Sequence, residues 1–190
     1  MEMREKVLEA AVRVFAEVGS RGATTRRIAA AAGVNEVTLF RHFGSKEALM
    51  REALRWAAQR VLVSKLPEEP VDPRAELTAW CDRHLRGMYE ARALLRTSLG
   101  EFEENPEVSA PACEVPVRVA AELQAYLERL RERGLATALD DPSAASAMLM
   151  GALFSDAISR DLMPERYPYP LEAAAERYVG LFLRAIQARE

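Results

Sequence analysis

Apolar residues recur at helical spacing along the whole chain, and no segment shows the sustained alternation of a half-buried strand. The pattern therefore predicts an all-α protein of about nine helices. The first helix is indicated by the spacing i, i+4, i+7, i+8, i+11 of Val7, Ala11, Val14, Phe15 and Val18. Gly19 is expected to close it.

Three shorter elements follow the first helix. Thr24 or Thr25 can cap the second helix, and Gly33 ends it after two turns. Asn35 supplies an oxygen acceptor for the start of the third helix. We expect Leu39 and Phe40 to fill the space beneath this third helix. A fourth helix is predicted over 46–63, and its inward candidates are Leu49, Ala53, Trp56 and Val63.

The rest of the chain also follows helical patterns, interrupted by proline. Asp72-Pro73 and Asp141-Pro142 each combine an N-cap with proline at the first helical position. They predict helices over about 73–87 and 144–158. Further helices are expected over 90–99, 114–133 and 171–188, with irregular connectors around 103–111 and 167–170.

The distribution of charge divides the chain, although its formal net charge is only −3. Residues 1–60 hold 11 basic and 7 acidic side chains, and the remainder holds 15 basic and 22 acidic ones. All ten prolines lie at or beyond Pro67. A basic module attached to an acidic body, with a boundary near 60–67, is the organisation that these two signals predict.

Composition narrows the function classes. The chain has 49% hydrophobic and 29% charged residues and lacks both an 18-residue apolar run and a signal-peptide pattern, which predicts a cytoplasmic protein. Cys81 and Cys113 are too far apart in sequence for a zinc ribbon, and are expected to be reduced thiols. The two histidines, His42 and His84, belong to no recognisable catalytic or metal-binding motif. We therefore expect no enzyme activity, no metal and no cofactor.

The most informative segment is TTRRIAAAAGVNEVTLFRHF, residues 24–43. It predicts two short helices joined by a tight glycine turn, covered by the first helix and leaving Glu36, Val37, Arg41 and Thr38 outward. This is the arrangement of a helix-turn-helix, whose second helix enters the DNA major groove. The alternative is a three-helix corner without a DNA-binding role.

Residues 4–54, and above all RIAAAAGVNEVTLFRHFGSKEAL, resemble the DNA-binding domain of the TetR family of bacterial transcriptional regulators. The remainder is similar to the family's ligand-binding and dimerisation domain in size and helix count only. The resemblance implies a helix-turn-helix domain over 1–47 and a helical effector-binding and dimerisation domain over 48–190. It also implies a homodimeric, ligand-responsive repressor of a palindromic operator.

The resemblance also implies roles for individual residues. Thr25 matches the threonine that caps the second helix and touches a phosphate. Arg26 matches a position that reaches a base edge or the DNA backbone. Glu36 and Val37 match the base-reading positions. Positions that bind phosphates correspond to Thr38, Phe40, His42 and Lys46. Asn35 and Arg41 complete the predicted DNA-binding set.

Two of these positions depart from the family pattern. Phe40 stands where tyrosine is usual, which removes a phosphate hydrogen bond. Glu36 places an acid towards a polyanion, where it either accepts from a cytosine amino group or pairs with Arg26 or Arg41.

The C-terminal body offers candidates for two further surfaces. A small-molecule effector of unknown identity is expected to contact Trp80, Arg83, His84, Met88, Phe102, Tyr126, Met148 and Phe154. The dimer interface is expected to include Ala145, Leu149, Ala152, Ala175, Tyr178, Val179, Phe182 and Ile186. Control by a partner protein, or by no small molecule, remains the alternative, and the sequence does not distinguish repression from activation.

Overall fold

The computed structural model describes residues 2–60, 65–104 and 106–188. Within these residues the chain forms nine α-helices: α1 Met3–Gly22, α2 Thr25–Ala32, α3 Glu36–Phe43, α4 Lys46–Arg60, α5 Pro73–Glu90, α6 Arg92–Gly100, α7 Pro106–Glu132, α8 Pro142–Ser159 and α9 Ala174–Ala185. Single turns of 3-10 helix span Pro164–Arg166 and Leu171–Ala173. The all-α prediction is confirmed.

The helix ends agree with the sequence pattern at most places and differ at two. The predicted connector around 103–111 is wrong, because α7 already begins at Pro106. Proline at the first helical position leaves no backbone hydrogen bond unmade, so it starts this helix. The predicted end of α4 at Val63 lies outside the described residues. Gly19 ends the regular part of α1, but the helix resumes to Gly22 after a glycine with φ of 68°.

The chain divides into two compact units, each with its own core. The first comprises Met1–Val61 and Ala91–Val115, and its core is formed by apolar residues of α1 to α4 such as Val7, Phe15, Ile28 and Leu49. Helix α6 packs on α1, where the Thr97 hydroxyl donates to the Ala16 carbonyl at 3.2 Å.

The second unit comprises Leu62–Glu90 and Pro116–Glu190. In it α5 packs against α8 and α9, and the C-terminal part of α7 contributes Leu123, Tyr126 and Leu127 to the core. The buried thiol of Cys81 belongs to this core, and burial raises its pKa to about 12. Such a thiol is inert packing rather than a reactive group.

A buried ion pair joins the last turn of α8 to the segment before α9. Asp156 is fully buried and accepts two hydrogen bonds of 2.7 Å from Arg160 and one of 2.7 Å from the Tyr178 hydroxyl. Arg160 also donates to the Tyr169 carbonyl at 2.5 Å. The carboxylate is therefore paired with a cation and fully hydrogen-bonded, as a buried charge requires.

Candidate DNA-binding interface

Helices α2 and α3 are delimited by side chains that satisfy their exposed backbone groups. The Thr24 hydroxyl accepts from the Arg27 amide at 3.2 Å, and Asn35 Oδ1 accepts from the Val37 amide at 2.9 Å. Between the helices, Gly33 has φ of 69°, a left-handed conformation that is costly for residues with a Cβ. The turn joins two eight-residue helices, as the sequence predicted.

Helix α3 is anchored from beneath and exposed on its outer face. Leu39 and Phe43 are buried, whereas Val37 is 73% and Phe40 48% exposed. The prediction that Phe40 fills the space beneath the helix is wrong. Phe43, four residues after Leu39, points to the same side of the helix and takes that place. Val37, Phe40 and the exposed Arg41 form one outward face at spacing i, i+3, i+4.

The first turns of α2 and α3 are joined through Thr25 and Glu36. The Thr25 hydroxyl donates a short hydrogen bond to Glu36 Oε1, and both side chains are half-buried. Thr24, not Thr25, caps α2, so the capping role implied for Thr25 is wrong. The carboxylate of Glu36 therefore has a hydroxyl partner within the helix-turn-helix, one that neither of the two predicted alternatives included.

Exposed basic side chains lie on both helices of the helix-turn-helix. Arg26 and Arg27 lie in the first turn of α2, and Arg41 and His42 in the last turn of α3, all of them exposed. Thr38 is half-buried. Arg27 was missed by the sequence analysis, although its place beside Arg26 at a helix start is a readable signal. A concentration of positive charge along a helix-turn-helix favours contact with phosphates.

Lys46 is positioned by the end of α1. Its ammonium donates to the Ser20 carbonyl at 2.5 Å, and the Ser20 amide donates to Glu101 Oε1 at 2.5 Å. An added Cβ at Gly19 would collide with the same Glu101 carboxylate. An ammonium has three donors, so the one used on Ser20 leaves two for a phosphate. No sequence signal linked residues 20, 46 and 101, which are distant along the chain.

The predicted effector residues differ widely in exposure. Trp80, His84 and Tyr126 are buried, Met88 and Phe154 are half-buried, and Arg83 and Met148 are exposed. Phe102 is 42% exposed and belongs to the first compact unit, whereas the other seven residues belong to the second. The Tyr126 hydroxyl donates to Glu76 Oε2 at 2.6 Å. That hydroxyl is already occupied within the protein.

The predicted dimer residues also fall into two groups. Five of them are buried within the single chain, namely Leu149, Ala175, Val179, Phe182 and Ile186. Ala145, Ala152 and Tyr178 are half-buried. The side chains of α8 that are exposed instead include Ala144, Ala147 and Met148, together with Gly151.

Two other features are absent from the part of the chain that the structure describes. None of its helices is both long and apolar enough to cross a membrane. The same residues contain no group of three or more histidine, cysteine or acidic side chains arranged to hold a metal ion.

Two family models match the chain. Residues 7–53 match the bacterial regulatory proteins of the tetR family, and residues 75–189 match the C-terminal domain of AefR-like transcriptional repressors. The first match covers α2, the turn and α3, and the second covers more than half of the chain.

Individual proteins show the same relationship. The transcriptional repressor AcnR of Corynebacterium efficiens is 45% identical over 58 residues, which cover 30% of this chain and 31% of AcnR. The transcriptional regulator YvkB of Bacillus subtilis is 26% identical over 97% of both chains. A crystal structure of a TetR-family regulator from Mesorhizobium loti, 24% identical, superposes over 96% of this chain and 95% of its own with a TM-score of 0.78. The chain belongs to the TetR family of bacterial transcriptional regulators.

Proposed function

We propose that the protein represses transcription as a dimer that inserts α3 of each chain into the major groove of a palindromic operator. The observation that carries this proposal is the exposed face of α3, with Val37, Phe40 and Arg41 outward while Leu39 and Phe43 hold the helix from beneath. A helix of eight residues fits the major groove, in which a recognition helix lies with its N-terminal residues at the base edges.

The exposed side chains suggest a division of labour at the DNA. Val37 and Arg41 face the bases, and the valine side chain offers apolar contact to a thymine methyl group. Arg26, Arg27 and His42 contact phosphates and fix the register of the helix. The two remaining donors of Lys46 are available for a further phosphate. Most of the affinity therefore comes from phosphate neutralisation, and sequence preference from a few contacts of α3.

Glu36 acts by positioning rather than by reading a base. Its carboxylate accepts from the Thr25 hydroxyl, so it ties the first turn of α3 to the first turn of α2. This contact fixes how deeply the N-terminus of α3 enters the groove. It also shields part of the negative charge from the phosphates.

The second copy docks on α8. This 18-residue helix carries a single charged residue, Asp156, whose side chain is fully buried. Its exposed side is formed by Ala144, Ala147, Met148 and Gly151, so it presents no charge to solvent. An uncharged helix face with small residues allows another helix to approach closely, and desolvating it costs little. Leu181 of α9, 61% exposed, extends the apolar surface.

The effector is proposed to bind in the second unit, among Trp80, His84 and Met88 of α5. A ligand that binds better to the conformation with incorrectly spaced DNA-binding domains lowers operator affinity by its differential affinity. The related repressor AcnR supports repression rather than activation.

The experiment that tests this proposal is selection of bound duplexes, followed by salt titrations of the wild type and two double variants. Arg26→Ala with Arg27→Ala removes two proposed phosphate contacts from each chain, four in the dimer, and should lower affinity and reduce the slope of log K against log salt by about 4. Arg118→Ala with Arg133→Ala removes two exposed cations from the second unit and serves as the matched control. Equal slopes for both double variants would contradict the proposed interface.

A further inference from the structure

Two buried polar atoms on α5 have no hydrogen-bond partner among the described residues: the indole Nε1 of Trp80 and Nε2 of His84. The two residues are 1% and 3% exposed, and their ring centroids lie 4.0 Å apart. Buried polar atoms are almost always satisfied in folded proteins. Two unsatisfied atoms on neighbouring rings therefore point to an occupant that this chain does not itself supply.

The hydrogen-bonding character of both atoms is fixed. His84 Nδ1 lies 2.8 Å from the Trp80 carbonyl oxygen, and because a carbonyl only accepts, Nδ1 must carry the proton. Burial lowers the pKa of His84, so its ring is neutral at neutral pH and Nε2 is an acceptor. The indole N–H of Trp80 is a donor only. Two rings whose centroids lie 4.0 Å apart thus carry one unpartnered donor and one unpartnered acceptor.

This pair selects among possible ligand groups. An ionised carboxylate has acceptors only, so it would satisfy Trp80 and oppose the lone pair of His84. An ammonium group has donors only, and would satisfy His84 but not Trp80. A hydroxyl group both donates and accepts, so it matches both atoms without a change of charge.

The surroundings favour a ligand with an apolar body. Trp80, His84 and the half-buried Met88 follow one another at four-residue spacing, so they share one side of α5. Leu77, Leu85 and Cys81 of the same helix are buried apolar residues. Ligand sites commonly combine such an apolar setting with a few polar groups that fix orientation.

We propose that Trp80 Nε1 and His84 Nε2 recognise the hydroxyl group of a neutral alcohol or phenol, with the hydroxyl donating to His84 and accepting from Trp80. This inference deepens the effector control proposed above and rests on it for its regulatory meaning. The recognition itself is a property of the second unit and can be measured without DNA.

The test compares phenol with toluene, and cyclohexanol with methylcyclohexane, on the full-length protein labelled with nitrogen-15. Each pair differs by a hydroxyl in place of a methyl group. We expect the hydroxyl compounds to shift the Trp80 indole and His84 Nε2 resonances and to bind at least about tenfold more tightly than their methyl partners. Equal binding within both pairs would overturn the inference, as would a bound water that bridges both atoms and is displaced by neither hydroxyl compound.

Two variants test whether Trp80 Nε1 and His84 Nε2 are the atoms that recognise the hydroxyl group. Trp80→Phe removes the donor and His84→Phe removes the acceptor, and each should abolish the preference for hydroxyl compounds. The free energy of unfolding of each variant is measured alongside, because His84→Phe also removes the Nδ1 hydrogen bond to the Trp80 carbonyl and Trp80→Phe leaves space in the core. Ser146→Ala is the control: its buried hydroxyl donates to the Ala120 carbonyl at 2.9 Å, so the variant should lose stability yet keep the preference. A preference retained in both ring variants would overturn the assignment.

Operator binding, measured on the same samples, separates this inference from the proposed function. A hydroxyl preference without any change in operator affinity confirms the recognition site and contradicts effector control. Normal operator binding without a hydroxyl preference contradicts the recognition site and leaves the DNA-binding proposal intact.

Discussion

The exposed faces of α3 and α8 differ in charge, although both helices are held by buried apolar residues beneath them. Helix α3 presents Arg41 and His42 and lies beside Arg26 and Arg27 of α2. Helix α8 presents alanine, glycine and Met148, and turns its single charged residue inward. A cationic face suits a polyanion and an uncharged face suits an apolar partner, which is why we propose that α3 contacts DNA and α8 contacts a second copy.

The largest expected effect concerns the inward side of α8. Asp156→Ala leaves the guanidinium of Arg160 and the Tyr178 hydroxyl without their partner, and should lower the free energy of unfolding by about 3–5 kcal/mol. Urea titration measures this change. The control is Asp82→Ala, which breaks a partly exposed pair with Arg86 and should cost less than about 1 kcal/mol. Similar losses in both variants would show that the buried pair has no special role.

The outward side of α8 is tested by adding a charge to it. Gly151→Glu meets no atom within 4 Å of the new Cβ, so the single chain should fold normally. In a dimer the carboxylate would be buried, and operator affinity should fall by about 100-fold as the two DNA-binding domains become unlinked. Analytical ultracentrifugation and DNA titration measure both effects.

A matched glycine is available as the control for this variant. Gly100 is an exposed glycine at the end of α6, and it also has open space around its Cβ position. Gly100→Glu should leave the dimer intact. If Gly151→Glu still forms the dimer, α8 is not part of the dimer interface.

The role of Glu36 can be separated into its charge and its hydrogen bond. Glu36→Gln removes the negative charge while its amide oxygen can still accept from Thr25, and should raise affinity for unrelated DNA several-fold. Thr25→Val removes the hydroxyl and should reduce the preference for the operator over unrelated DNA. Anisotropy titrations with both duplexes give the two ratios. Loss of operator preference in Glu36→Gln, but not in Thr25→Val, would instead make Glu36 a base reader.

The smallest expected effect is a gain in operator affinity. Phe40 is 48% exposed on the outer face of α3, so Phe40→Tyr adds a hydroxyl without disturbing the core. A new phosphate contact should improve operator affinity by about 1 kcal/mol, or roughly fivefold. Binding titrations at fixed salt measure it. Unchanged affinity would indicate that residue 40 does not face a phosphate.

Local signals in the sequence predicted the helix-turn-helix well. Asn35 as a cap and Gly33 in the left-handed turn act on backbone groups within a few residues, so their effect is visible in the sequence. The sequence did not show that Phe43 rather than Phe40 would be buried, because this depends on the rotation of α3 against α1 and α4. The Thr25–Glu36 contact likewise requires two helices already in place.

In the second unit, even less of the packing could be predicted from the sequence. The sequence placed Ala175, Val179, Phe182 and Ile186 of the last helical segment in the predicted dimer interface. These four side chains are buried within the single chain, where α9 packs against α5 and α8, whereas Leu181 of the same helix is 61% exposed. Composition alone cannot tell burial inside a chain from burial between chains. The unpartnered atoms of Trp80 and His84 are also invisible in the sequence, since they depend on what the fold leaves unsatisfied.

The most direct test of the two-face account is the stoichiometry and footprint of the complex with a selected duplex. The account predicts two chains on one palindromic site, with protection of two major-groove segments centred about 34 Å apart on one side of the helix. Gly151→Glu should reduce this to weak binding of single chains. One chain bound at full affinity, or a single protected segment with two chains present, would contradict the account.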